Sequence, residues 1–131
     1  MGAPAATKGH SVPAVDIHIV MVPMPAPVPT PLPHPFMGQL DGGLVDTVKI
    51  AGQPAAVKDS TATNQPSHIP TPPGTSFQKT PADKGTVQNG SGTVKIGGKA
   101  AARAGDPVST CNDPTDVPGG AIVAGGTVLI A

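Results

Sequence analysis

Tryptophan and tyrosine are absent from the 131 residues, and Phe36 and Phe77 carry the only phenyl rings. A core built on large rings and a base-stacking surface are both excluded. Charge is scarce and balanced, 8 Lys+Arg against 8 Asp+Glu, so there is no basic footprint and no nucleic-acid partner is expected. The single cysteine, Cys111, rules out an internal disulfide. The most apolar stretch, Ile17 to Val28, is broken by Pro23, Pro25 and Pro27, which fits neither a membrane span nor a signal core. The N-terminus lacks a charged segment followed by an unbroken apolar one, so the expectation is synthesis in the cytoplasm without a signal peptide. No useful length holds a 3.6-residue apolar period, and essentially no helix is expected.

What the chain has in quantity is glycine, 17 residues, and proline, 18 residues, a share that ordinarily suggests a low-complexity chain. Against disorder stands an internal repeat. Thr93-Val94-Lys95-Ile96-Gly97-Gly98-Lys99-Ala100-Ala101-Ala102-Arg103-Ala104-Gly105-Asp106 restates Thr47-Val48-Lys49-Ile50-Ala51-Gly52-Gln53-Pro54-Ala55-Ala56. Each copy reads as a β-hairpin: an alternating strand, a glycine turn that tolerates positive φ, and a strand of small residues. The third copy is divided, with Thr127 to Ala131 supplying its first half and Gly2 to His10 its second. The sequence therefore predicts one domain, residues 1–131, with repeat units at about 44–60 and 92–106 and a third split between 127–131 and 2–10. The expected fold is all-β, a short three-sided cone of pseudo-threefold β-hairpin repeats with extended Pro-rich segments. Two similar hairpins in an ordinary β-sandwich are the alternative.

Proline stands at every second position from Pro23 to Pro35. In an extended chain alternate N–H groups point to the same side, so all donors of one edge are missing and only the other edge can pair. A stiff solvated linker would show the same composition. Ile17 to Val22 reads as a strand, Ser11 to Asp16 as a connector, and Lys79 to Asn89 as a polar loop. Ala121 to Ala124 and Thr127 to Ile130 read as the final strands.

A small body with so little core needs another staple, and with no disulfide a metal is the remaining candidate. His18 lies sixteen residues after Gly2, and His68 sixteen after Gly52; Cys111 lies thirteen after Gly98, near the end of the corresponding arm. Three pseudo-equivalent arms would each bring one donor to the axis. His34, rigidly placed between Pro33 and Pro35, is the natural fourth, giving His18, His34, His68 and Cys111 as a closed His₃Cys zinc set. His10 is the reserve ligand, because in the same counting it falls where Asp106 stands in the third unit. Four protein ligands leave no open position for catalysis, and no orienting constellation surrounds Cys111, so an enzyme is not expected.

The Pro-Ala-Ala of Pro54 to Ala56, the Ala-Ala-Arg with Gly-Asp of Ala101 to Asp106, Asp16 to Pro23 with Pro33 to Phe36, and Thr110 to Pro114 together resemble a PAAR-repeat protein of the stand-alone spike-tip kind. The resemblance covers nearly the whole chain; Thr7 to His10 and Val57 to Ser60 depart from it at arm-end turns. It implies a cone capping the trimeric β-helical spike of a type VI secretion system or related contractile injection apparatus, with three histidines and one cysteine on zinc near the apex. The implied partner is a trimeric VgrG-like spike protein, one tip per trimer, with effector proteins as further cargo and transient contact with a target membrane. A free-standing zinc-binding β-protein with no spike partner is the competing expectation.

Overall fold

The long strands dictate everything else. In the computed structural model, which describes residues 2–23 and 25–131, β1 (Ala3–Pro4) leads to a pair that forms the backbone of the molecule, β2 (Ser11–Val22) and β3 (Val28–Gly42). These are antiparallel from Ser11↔Gln39 to Val22↔Val28. Then come β4 (Val45–Ile50), β5 (Gln53–Ala55), β6 (Thr61–Asn64), β7 (Ser76–Phe77), β8 (Lys84–Val87), β9 (Lys95–Ile96), β10 (Lys99–Ala100), β11 (Pro107–Thr110), β12 (Val117–Ala121) and β13 (Leu129–Ile130). No helix occurs among the described residues, and about 53% of the chain is strand.

One curled sheet of seven strands runs β12-β11-β8-β6-β3-β2-β7. Ser11 to Asp16 is strand rather than connector, because the pairing of β2 with β3 extends to Ser11. Lys84–Val87 is likewise no loop: it bridges β6 and β11 in the middle of the sheet, its alternating small and β-branched residues burying Gly85 and Val87. The polar flanks of this four-residue strand masked its period of two.

The proline alternation acts as its geometry requires. Pro29, Pro31, Pro33 and Pro35 stand opposite Met21, Ile19, Ile17 and Val15. These are pairs that exchange no ladder bonds, so the odd-numbered backbone groups of β2 face away from β3. Asn112 Oδ1 accepts the Ile17 N–H at 2.6 Å, Asp113 Oδ2 accepts the Ile19 N–H at 2.9 Å, and Ile17 O accepts the Asp113 N–H at 2.8 Å. Proline on one strand thus frees its neighbour to hold the arm that follows Cys111.

At the other end lie three two-stranded hairpins, β4–β5, β9–β10 and β13–β1, the last made from the two ends of the chain with Ala3↔Ile130 and Pro4↔Leu129. Their small-residue strands close on one another. The Ala6 N–H donates to Ala102 O, Ala102 to Ala56 O, and Ala56 to Ala6 O, each at 3.0 Å. A second ring runs in the opposite order: Lys8 to Pro54 at 3.0 Å, Lys58 to Ala100 at 2.8 Å and Ala104 to Pro4 at 2.8 Å. The strands close this tightly on small side chains, and Ala5, Ala6, Ala55, Ala56, Ala101 and Ala102 are all buried.

Past the junction each unit makes the same tight turn, with Gly9, Asp59 and Gly105 at φ 90°, 74° and 88°. The side chains of His10, Ser60 and Asp106 accept the N–H of Thr7, Val57 and Arg103 at 2.9, 2.9 and 2.7 Å. Three different residues fill one role. Between junction and sheet the core gathers Val12, Phe36, Leu40, Ala62, Val87, Val108 and Ile122.

Candidate metal centre

The pleat sends even-numbered residues of β2 and β3 inward. On that face Val12, Phe36 and Leu40 belong to the apolar core, and beyond them the same rows become polar with Asp16, His18 and His34. Asp16 and His34 are cross-strand partners, while His18 faces Leu32. His68 arrives from the segment after β6, its backbone N–H donated to Asp83 Oδ1 at 2.9 Å. Cys111 follows β11 directly, its N–H donated to Lys84 O at 3.2 Å.

Four donors converge: one ligand atom each from Asp16, His18, His68 and Cys111 lies within 4.8 Å of the others. Asp16 Oδ2 is 2.9 Å from His68 Nε2, 3.3 Å from Cys111 Sγ and 4.0 Å from His18 Nε2. Cys111 Sγ is 3.7 Å from His18 Nε2. The other oxygen, Asp16 Oδ1, accepts from the Thr110 hydroxyl at 2.6 Å and the Asn112 amide at 3.3 Å. Of the four residues expected from the sequence, the structure brings His18, His68 and Cys111 into this group. The His34 ring stands beside it, 5.4 Å from that of His18 and 5.6 Å from that of His68. However, its Nδ1 is engaged with Leu32 O at 2.9 Å and its Nε2 accepts the Thr71 N–H at 3.1 Å. His10 is elsewhere, capping its turn.

Sequence reasoning missed Asp16, because repeat counting looks for the same residue type at the same offset and Asp16 has no counterpart in the other units. The signal was present as Asp16-Ile17-His18, whose spacing of two puts both side chains on one face of a strand.

Burial pushes the Cys111 thiol up to about 12, with the Asp16 carboxylate adding to the effect, and burial pushes the His18 and His34 imidazoles below their ordinary value. His18 Nδ1 is buried without a hydrogen-bond partner, 3.6 Å from Asp113 Oδ2. A buried carboxylate, a buried thiol and buried imidazoles brought together form a costly site unless a cation completes it. The donor set, one sulfur with imidazole and carboxylate, suits a borderline divalent metal.

No curated protein matches the chain. The model of the PAAR motif family matches residues 78–131, a span from the end of β7 through the Cys111 arm to β13. That span holds the second complete repeat unit and the first half of the divided one. Over residues 78–131 the chain is thus similar to the PAAR motif family.

Proposed function

We propose that this chain is a structural, metal-stabilised tip that caps the trimeric β-helical spike of a type VI secretion system or related contractile injection system. The PAAR motif is known from type VI spike-tip proteins. The observation that carries the reading is the closed ring of Ala6, Ala56 and Ala102, by which one chain presents three like hairpins around one axis. A true threefold spike offers three identical edges, and a single chain can satisfy all of them only if it imitates that symmetry.

In this reading the centre is structural and not catalytic, because four protein ligands leave no open position at the ion. Zinc is the ion proposed, held by His18, His34, His68 and Cys111; when bound it would crosslink arms that only backbone bonds and side-chain caps otherwise join. It ties β2, the segment after β6 and the segment after β11, three regions far apart in sequence. A crosslink of that kind stiffens the end of the molecule that meets a target membrane. The protein is made in the cytoplasm, assembled on the apparatus and delivered outward, and an effector protein carried by the spike is a further partner.

Native mass spectrometry of the chain mixed with its cognate spike protein tests the proposal. One chain per three spike subunits, with one zinc, is the expected mass. Failure to bind a cognate trimer, or three chains per trimer, overturns the cap and leaves a free-standing zinc-binding β-protein.

A further inference from the structure

We propose that His10 is a pH-sensitive latch: as a neutral ring it closes the turn that ties the divided hairpin β13–β1 to β4–β5, and on protonation it releases that turn and loosens one of the three edges offered to a spike. The latch stands on the geometry of the turn; its consequence for a partner rests on the spike-cap reading above.

The three equivalent turns differ in what acid does to them. His10, Ser60 and Asp106 accept the N–H of Thr7, Val57 and Arg103. Ser60 is a hydroxyl with no proton to gain near neutrality, and it also donates to Gly43 O at 2.9 Å. Asp106 is anchored a second time by the Arg103 guanidinium at 3.1 Å. His10 accepts through Nδ1, so the neutral ring carries its proton on Nε2. Among the described residues its side chain bonds Thr7 alone, the N–H at 2.9 Å and the hydroxyl at 3.3 Å. An imidazolium donates from both nitrogens and accepts at neither. Histidine is the side chain whose charge changes between pH 5 and 8, so of the three caps this one is lost on mild acidification.

What the turn holds follows from its bonds. Thr7 is buried and pairs with Ala55, the Lys8 N–H donates to Pro54 O at 3.0 Å, the Gly9 N–H to Leu40 O at 2.8 Å, and the Leu40 N–H to His10 O at 3.0 Å. Loss of the cap leaves the Thr7 N–H a buried donor without a partner, a cost that opening the turn relieves. The Thr7 and Lys8 bonds are among those that join the divided unit to β4–β5, so this seam loosens with the turn. The half-buried ring lines a cavity of about 490 Å³ along the seam, with Ile50 and Gln53 opposite, and is reached from solvent without unfolding. Lys8 is the other charged residue around that cavity; Asp41, which follows Leu40 in β3, stands with Lys8 and Asp46 around a separate one. Among the described residues no carboxylate is within ion-pair distance of the ring, so protonation brings His10 no replacement partner.

Amide hydrogen exchange of the full chain as purified, corrected for its intrinsic pH dependence, is compared at about pH 7.5 and about pH 5.5. At the lower pH, Thr7 is expected to lose at least about tenfold in protection relative to Val57 and Arg103, the scale of one buried donor left unpaired. Ring-nitrogen NMR at the higher pH is expected to show His10 protonated at Nε2 and bare at Nδ1. His10→Ser and His10→Asp, which carry the acceptors of the other two turns, are expected to keep Thr7 protected at both pH values. A wild-type Thr7 amide that tracks Val57 and Arg103, a proton on Nδ1, or an equal fall in either folded variant overturns the latch. Affinity for the cognate spike trimer is read at the same two pH values, with about tenfold weakening expected at the lower one for the wild type and none for His10→Ser. Equal affinity at both, or equal loss in chain and variant, overturns the consequence for the partner. A chain that binds no spike at either pH overturns the cap reading, and the exchange comparison still decides the latch.

Discussion

Ala3 lies opposite Ile130 in an antiparallel pair, so the first strand of the chain completes a hairpin begun by the last. The approach is close: a Cβ on Gly2 would fall 2.7 Å from the Ile130 carbonyl oxygen. A permutant that joins residue 131 to residue 2 through a short linker and opens between Lys79 and Ala82 should fold and keep its metal. The opening belongs before Lys84, because β8 pairs on both sides. A soluble permutant with wild-type zinc content is the expected result; an unfolded product would mean that the hairpin depends on free ends.

Gly38 sits where the inner face of β3 passes beneath the Phe36 ring. An added Cβ would lie 2.6 Å from Phe36 Cε1 and 3.1 Å from Ala62 Cβ, and the ring is fully buried with little room to turn. Gly38→Ala should therefore destabilise by about 1–3 kcal/mol through overpacking, and Phe36→Ala by about 3–5 kcal/mol through the cavity it leaves. Denaturant titration at fixed zinc measures both. A neutral Gly38→Ala would show that the core near His68 is looser than its geometry.

The repeat made the three hairpins and the divided unit legible, because a junction of buried alanines leaves Ala-Ala at the same place in every copy. The proline period made β3 legible for a similar reason, since one missing donor per two residues has a single geometric meaning. The strand at Lys84–Val87 was not legible: four residues with a glycine carry too little pattern, and only pairing with β6 and β11 creates it. In the centre, His18 and His68 share an offset of sixteen and Cys111 stands at thirteen, whereas the Thr71 amide on His34 Nε2 is a contact across 37 positions that no local spacing encodes.

Burial lowers the His18 and His34 imidazoles from 6.5, and His68 lowers both further, while Asp113 and Asp16 partly offset this at His18 and the Leu32 carbonyl and Asp16 at His34. A group whose folded-state pKa is depressed binds fewer protons folded than unfolded, so its contribution is present above 6.5 and lost as pH falls. The metal-free protein should thus lose stability on acidification from pH 7 to pH 5, seen as a falling denaturant midpoint. His18→Gln should flatten that slope; a metal-free midpoint independent of pH over this interval would contradict it.

Removing the metal should loosen one end of the molecule and spare the other. The arms that carry the ligands depend on a few contacts: Ile17 and Ile19 amides on Asn112 and Asp113 side chains, the His68 amide on Asp83, the Cys111 amide on Lys84 O. Without a cation the Asp16 carboxylate, the Cys111 thiol and the His18 imidazole are left buried against one another, and relaxation of these arms relieves that cost. The Ala6, Ala56 and Ala102 ring closes through backbone bonds alone and lies in an apolar junction. Amide hydrogen exchange before and after chelation separates the two regions, since local opening is read residue by residue. The Ile17, Ile19, His68 and Cys111 amides should exchange at least about tenfold faster in the stripped protein, which corresponds to about 1.4 kcal/mol of lost local protection. The three alanine amides should change little. Equal acceleration in both regions would mean that the metal holds the whole fold together, as in small domains that unfold when metal is withdrawn, and not the arms in particular.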